Sequence, residues 1–427
     1  MNPLTPLAPP APARRLLDAV TAADKAVAQG IPADTFLQDH FRAHRNFGAQ
    51  MRRTIGDTVF AFFRWRGWLC PRDTPPHYTR ATLLAFALAV TEFPPWSRDW
   101  VAMNWPPGGT PIPLAGCSRA QKQATLQASG CGACNVNDCV PAWVAALPLP
   151  EGTRFIESLQ ERPPIWLRFR KDDRPTGLQI LADHAPCAPH PHLPNAVALT
   201  QAISRSCYDQ ATNTPFEFQD VSSQAVGWIA APQPGETWWD CCAGAGGKTL
   251  HLADLMGGRG IIWATEPRTA ALKAFAQRAR RAGCTAMIRP QRANAWQLDP
   301  PALLDGALID APCSGLGTWA RQPDARWRMS RDRVQSLAKR QTRLLNHVAP
   351  FIRPGGTLVY AVCTVTPEET TDQVATFADA HPAFAPASVT HPLTGEATAS
   401  PIWIHPWDGP GGAMFVAKWI RSPPTAG

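Results

Sequence analysis

The 427-residue sequence predicts an α/β fold, with a mainly parallel sheet under helices in its C-terminal half. An all-helical region and a small connecting subdomain come before it. Three observations carry this reading. Short apolar runs alternate with helical stretches from about residue 235 onward. A glycine-rich turn follows the first of those runs. Before about residue 160 the apolar residues recur at helical spacing, with no strong two-residue alternation.

The first 14 residues are rich in Pro and Ala and lead into the basic pair Arg14–Arg15. A secretory signal has the opposite order, so this stretch is expected to be a disordered tail. Residues 15–70 then read as helix, through Leu16, Leu17, Val20, Ala23 and Val27 and again through Ile55, Val59, Phe62 and Phe63. Residues 80–92 read as another buried helix. Proline-rich punctuation at 94–112 and 146–150 closes the helical region, giving a domain over 15–150 and a connecting subdomain over 151–220.

The domain over 221–421 holds the strand candidates. These are Thr237–Cys241, Ile261–Thr265, Ala286–Ile288, Ala307–Ile309, Thr357–Val362 and a closing run Ala413–Ile420. Helical stretches at 268–282 and 330–349 lie between them. This rhythm predicts βαβ units and a sheet covered on both faces.

Hydrophobic residues make up 45% of the chain, and no apolar run is long enough to span a bilayer. The 12 cysteines are scattered, unlike a disulfide scaffold, which points to the reducing cytoplasm. The net charge of +8 suits a polyanionic partner. Its distribution is uneven: residues 326–343 hold seven Lys and Arg against Asp332 alone, and residues 42–66 interleave arginines with Phe47, Phe60, Phe62, Phe63 and Trp65. Each segment reads equally well as an RNA contact or as an ordinary face, solvated in the first case and core aromatics with snorkelling arginines in the second.

The turn Asp240 to Thr249 joins a strand to an apolar helix. Its end, Gly247-Lys248-Thr249, is reminiscent of a phosphate loop, but such a loop needs glycine where Cys242 stands. The remaining reading is a nucleoside cofactor on the glycine turn, with Glu266 after the next strand holding the ribose hydroxyls.

Two thiols sit at two further strand ends, Cys313 within Asp310-Ala311-Pro312-Cys313 and Cys363 directly after Val362. In an open parallel sheet both face the ligand side. A thiolate adding to C6 of a pyrimidine makes C5 nucleophilic toward a methyl sulfonium, and a carboxylic acid near N3 stabilises the charge that develops. One thiol, one acid and one cofactor suffice; a second thiol can assist release. Position alone does not say which thiol attacks.

Residues 215–420 resemble the RsmB/Sun family of S-adenosylmethionine-dependent RNA cytosine-5 methyltransferases. The likeness rests on Phe218 to Gln224, Asp240 to Thr249, Asp310 to Gly317, Arg321 to Trp327, Tyr360 to Glu369 and Asp408-Gly409. It implies a Rossmann-like class I methyltransferase domain, with Cys363 as nucleophile, Cys313 freeing the product and Asp310 assisting at the ring. It further implies that Cys242, Ala243, Gly244, Ala245, Gly246, Gly247, Lys248, Glu266, Asn294 and Asp310 line the S-adenosyl-L-methionine pocket. Where this family usually has Pro, Asp and Asn, the chain has Ala245, Asn294 and Thr370; Asn294 still accepts a hydrogen bond from an adenine amino group.

Residues 15–90 resemble more loosely a NusB-like helical domain, through Phe41-Arg42 to Gly48, Arg52-Arg53 and Val59 to Arg64. Residues 160–171 resemble the start of the small subdomain before the catalytic one. The resemblance implies a monomer bound to RNA, with 16S ribosomal RNA first and tRNA second. Competing classes are a non-catalytic RNA-binding assembly module that keeps the fold and a DNA cytosine methyltransferase that would depend on Cys313. Finally, Cys131, Cys134, Cys139 and Cys117 have partial zinc spacing, but free thiols in a surface insertion are the favoured reading and no metal is assigned.

Overall fold

The computed structural model describes residues 9–70, 77–170, 186–199 and 216–423, together with Pro175, Leu178, Gln179 and Leu181. The chain divides into two compact units. One is helical and comprises the residues up to Arg162 with Trp319–Met329; the other holds Pro163–Thr318 and the residues from Ser330 onward.

The helical unit opens with helices Ala11–Ala28, Ala33–Ala43, Ala49–Leu69 and Tyr78–Ala89. The first begins inside the stretch expected to be a tail. Proline in a first helical turn leaves no intrahelical bond unmade, so Pro10 and Pro12 start this helix rather than exclude it. Residues 1–8 of that expected tail lie outside the described residues. The continuous helix expected over 15–70 is three helices, broken at Gly30 and at Gly48. Leu16, Ile55, Val59, Phe62, Phe63 and Phe86 form its fully buried core. The aromatics of residues 42–66 are therefore largely core, as their snorkelling reading has it.

Residues 319–329 pack within this helical unit although their sequence neighbours do not. Arg326 is fully buried and donates to the carbonyls of Cys139, Leu159 and Trp319 at 2.8, 3.1 and 3.2 Å. Asp324 accepts from the Ala33 backbone at 3.0 Å, and the Trp327 indole donates to Phe63 O at 2.7 Å. The solvated face expected for 326–343 thus applies to the helix Arg331–Val348 but not to Arg326.

In the second unit, four short strands form an antiparallel sheet in the order β2-β3-β1-β4: β1 Ile165–Phe169, β2 Cys187–Pro189, β3 Ala196–Leu199 and β4 Phe216–Phe218. The main sheet uses β5 Thr237–Asp240, β6 Ile261–Thr265, β7 Ile288–Gln291, β8 Leu304–Asp310, β9 Ile352–Val362 and β14 Met414–Arg421. β10 (Phe384–Pro386) and β13 (Ile402–Ile404) join β14, while β11 (Ser388–Thr390) and β12 (Ala397–Ala399) pair apart. The order is β10-β14-β9-β8-β5-β6-β7, parallel from β7 to β9 and antiparallel at β14.

β7 falls two residues later than the apolar run Ala286–Ile288 suggested. It is an edge strand, so Arg289 and Pro290 are tolerated there and an apolar run is not required. Alternation along the strands serves both faces. Trp238, Leu308, Val359 and Ala361 face one core under helices Val221–Ala230, Gly247–Leu255 and Thr269–Arg281. Trp239, Ile309, Leu358 and Tyr360 face the other, under Arg331–Val348 and Thr371–Ala380.

Candidate active site

β5, β8 and β9 are neighbours, so their carboxyl ends bring the glycine turn, Asp310 and Cys363 to one edge of the sheet. Asp240 ends β5 as a fully buried acid, accepting from Thr249 Oγ1 at 2.6 Å and Cys242 N at 3.2 Å. Burial pushes its carboxyl up to about 6. It closes the turn from beneath rather than facing a ligand. Gly244 and Gly246 hold φ of 55° and 86°, in the left-handed region. A Cβ on Gly246 would stand 2.0 Å from the Phe275 ring, so only glycine lets the turn approach that helix.

Beyond the turn, Lys248 Nζ bonds Asp310 Oδ2 at 2.8 Å. Burial alone would lower the lysine pKa, but the charge and hydrogen bond of Asp310 override it and hold the ammonium above its usual range. The same ammonium is within electrostatic reach of Cys363.

The thiols meet: Cys313 Sγ lies 3.3 Å from Cys363 Sγ. The hydrogen bond with Cys363, then burial, raises Cys313 well above the usual thiol range. One buried carboxylate fixes the two loops. Glu369 accepts from Ser314 N at 2.9 Å, from Thr366 Oγ1 at 2.8 Å and from Gln341 Nε2 at 3.0 Å, and from the Ser314 hydroxyl as well. Gln341 also donates to Pro312 O at 3.0 Å, Thr364 Oγ1 lies 2.7 Å from Ser314 Oγ, and Tyr360 donates to Glu369 O at 2.7 Å. Gly317 N donates to Cys363 O at 2.9 Å, and a Cβ there would meet Ala413 O at 2.1 Å.

Glu266 is buried and accepts from Arg268 at Nε, Nη2 and the backbone N, at 2.7, 3.1 and 2.8 Å. Burial would raise its pKa, yet these bonds bring it below the usual carboxylate value. Asn294 caps a turn and donates to Gln297 Oε1 at 2.8 Å. Cys242 is held protonated by burial, with Asp240, Asp310 and Glu266 adding to the effect. The left-handed glycine turn and the buried Glu266 after the next strand form a cradle that fits a nucleoside.

Sequence reasoning gave no role to Glu369, Gln341, Ser314 or Arg268. The pair Glu368-Glu369 lies within the stretch Tyr360 to Glu369, and its closeness to Cys363 was the available signal. Phe218 to Gln224 has a structural part. Asp220 caps its helix and accepts from Gly412 N at 3.0 Å, while Gln219 accepts from the buried Arg168 at 2.7 Å. The cysteines of residues 131–139 are buried, not on a surface insertion, and burial pushes Cys134 and Cys139 up to about 12. Among the described residues, no group of three or more His, Cys, Asp or Glu is placed to hold a metal ion.

The sheet order and the glycine turn after the first parallel strand define a Rossmann-like fold of the methyltransferase type. Residues 228–420 match the model of the 16S rRNA methyltransferase RsmB/F family. A Synechocystis sp. protein named probable ribosomal RNA small subunit methyltransferase B is 42% identical over 171 residues, 38% of this chain and 37% of that one. Ribosomal RNA small subunit methyltransferase B of Salmonella paratyphi B is 35% identical over 229 residues, 52% of this chain and 53% of that one. The match thus spans about half, or less, of these relatives' length. In fold, the chain is similar to the crystal structure of PH0851, with a TM-score of 0.72 and 20% identity over 98% of this chain and 100% of that one. NSun6 from Pyrococcus horikoshii, solved with SFG, gives a TM-score of 0.56 and 16% identity over 64% of this chain and 94% of that one. Among the described residues, no helix is long and apolar enough to cross a membrane.

Proposed function

We propose that this protein is an S-adenosylmethionine-dependent RNA cytosine-5 methyltransferase acting on 16S ribosomal RNA. The observation that carries the reading is the pair of thiols in contact, beside the Lys248–Asp310 pair, at the ends of neighbouring strands. The match of residues 228–420 to the RsmB/F family model supports it. In this reading residues 221–421 perform the chemistry, 151–220 connect, and 15–150 hold RNA.

When bound on the glycine turn, the cofactor supplies an electrophilic methyl group. The chain's residues prepare the base. Lys248 places a positive charge near Cys363, whose proton passes to solvent as the sulfur attacks, with the Cys313 thiol 3.3 Å away. Cys363 Sγ then bonds C6 of a flipped-out cytosine, and the ring electrons move toward C5. Asp310, positioned by Lys248, would meet the negative charge developing at the ring nitrogen by giving that nitrogen a proton, which it takes back as the aromatic ring re-forms.

Once Cys363 is bonded to carbon, its sulfur no longer places a negative charge beside Cys313. Cys313 then gives its proton to solvent and takes the proton from C5. The C5–C6 double bond re-forms as the Cys363 thiolate leaves. Methylation of RNA with labelled cofactor, followed by bisulfite sequencing, tests the assignment. Full activity in Cys363→Ala would overturn it.

A further inference from the structure

The helical unit contains a cavity of about 470 Å³, within the usual range of small-molecule sites. Arg64, Lys122, Arg162 and Arg321 line it, against the two acids Asp57 and Glu161. Positive charge therefore prevails. Arg162 and Asp57 approach only to 3.9 Å, with the arginine side chain 74% exposed, so this pair is weak.

Arg64 is the most informative group. Its Nη2 donates to Ala320 O at 2.6 Å, while its Nε is buried with no hydrogen-bond partner. A buried donor without an acceptor is costly, so this guanidinium is held in the cavity wall at some expense. Burial, reinforced by Arg162, pulls the guanidinium down to about 10, and burial likewise lowers Lys122, with Arg64 adding to the effect. Two cations held together at a cost to both point to a bound oxyanion. Lys122 Nζ stands 5.8 Å over the Trp65 ring, and Phe60 and Leu88 complete an apolar wall beside the charged one.

We propose that this cavity binds a phosphate group carried on a nucleotide. Arg64 and Lys122 would grip the phosphate, Arg162 would close over it, and the wall of Phe60 and Trp65 would take the nucleoside. The phosphate could be a terminal one, as on a free nucleotide, or a phosphodiester within an RNA strand. The site does not depend on the methyl-transfer reading.

Calorimetric titration of the full chain with cytidine 5′-monophosphate, and with a tetranucleotide with and without a 5′-phosphate, tests the proposal. One saturable site is expected, competed by inorganic phosphate. Lys122→Gln and Arg162→Gln should each weaken it tenfold or more while keeping the parent circular dichroism spectrum. Preference for the phosphorylated probes identifies a terminal phosphate; equal binding of both tetranucleotides, lost in Lys122→Gln, identifies a phosphodiester. No binding of any probe, or binding unchanged in both variants, overturns the proposal. Cys363→Ala should bind as the parent does, so failure of the pocket and failure of the catalytic reading are separately visible.

Discussion

The sulfur atoms of Cys313 and Cys363 lie 3.3 Å apart although 50 residues separate them. This distance is far longer than the roughly 2.05 Å of a disulfide bond. Each thiol therefore keeps its own chemistry while sensing the charge of the other. Cys363→Ala should abolish methylation and form no adduct. Cys313→Ala should still attack but fail to release, leaving a protein–RNA species that migrates slowly on a denaturing gel. Interchange of these two outcomes would reverse the assigned roles.

Glu369 is fully buried and binds both thiol-bearing loops. Glu369→Ala leaves Ser314 N and the Thr366 hydroxyl without their acceptor, at a cost of about 2–4 kcal/mol. Urea denaturation should register that loss. Glu369→Gln keeps the shape but replaces one acceptor with a donor, so its stability should fall between that of the parent and that of the alanine variant.

Gly246→Ala combines a φ of 86° with a Cβ placed 2.0 Å from the Phe275 ring. About 1–3 kcal/mol of destabilisation is expected. Because the strain sits in the proposed cofactor turn, equilibrium dialysis should show weaker S-adenosylmethionine binding. Parent-like affinity would show that the turn is not the cradle.

His391 and Asp408 approach to 3.4 Å. The hydrogen bond to Asp408 raises His391, and Asp408 is lowered because the bonds from His391 and the His405 backbone outweigh burial. A raised histidine gives stability that is fully present below its unfolded pKa, near 6.5, and is lost as pH rises through the folded value. The lowered carboxyl gives stability present above its unfolded value and lost as pH falls through the folded one. Thermal melting should therefore show a benefit across mildly acidic pH that His391→Gln removes, with convergence of the two proteins at alkaline pH.

Arg326 donates to backbone carbonyls at 2.8, 3.1 and 3.2 Å from full burial, which pulls its pKa down to about 9. Arg326→Ala should cost about 3 kcal/mol or more by leaving those carbonyls without donors. Arg326→Lys should recover little, since one ammonium cannot span the acceptors of a planar fork.

Much of this layout was legible in the sequence. β6 has the bounds its apolar run suggested, because a central strand covered on both faces must be apolar throughout. Both thiols stand at strand ends, where turn residues mark the boundary. The edge strand β7 was displaced because an edge does not demand that pattern. Arg326 looked like one more member of a basic run, since charge in a sequence carries no sign of burial. For Glu369 the sequence offered only its closeness to Cys363, with no sign of its burial, and the grip of Arg268 on Glu266 needs geometry that a two-residue spacing does not specify.

The carboxylate of Glu369 also bears on portability. A pair of cysteines grafted onto the ends of two neighbouring strands in another sheet would not reproduce this site. The graft would need Ser314, Thr364, Thr366 and Glu369 together, with Gln341 reaching across from its helix and Tyr360 from beneath. The transferable unit is the anchored frame, and the two sulfurs are its smallest part.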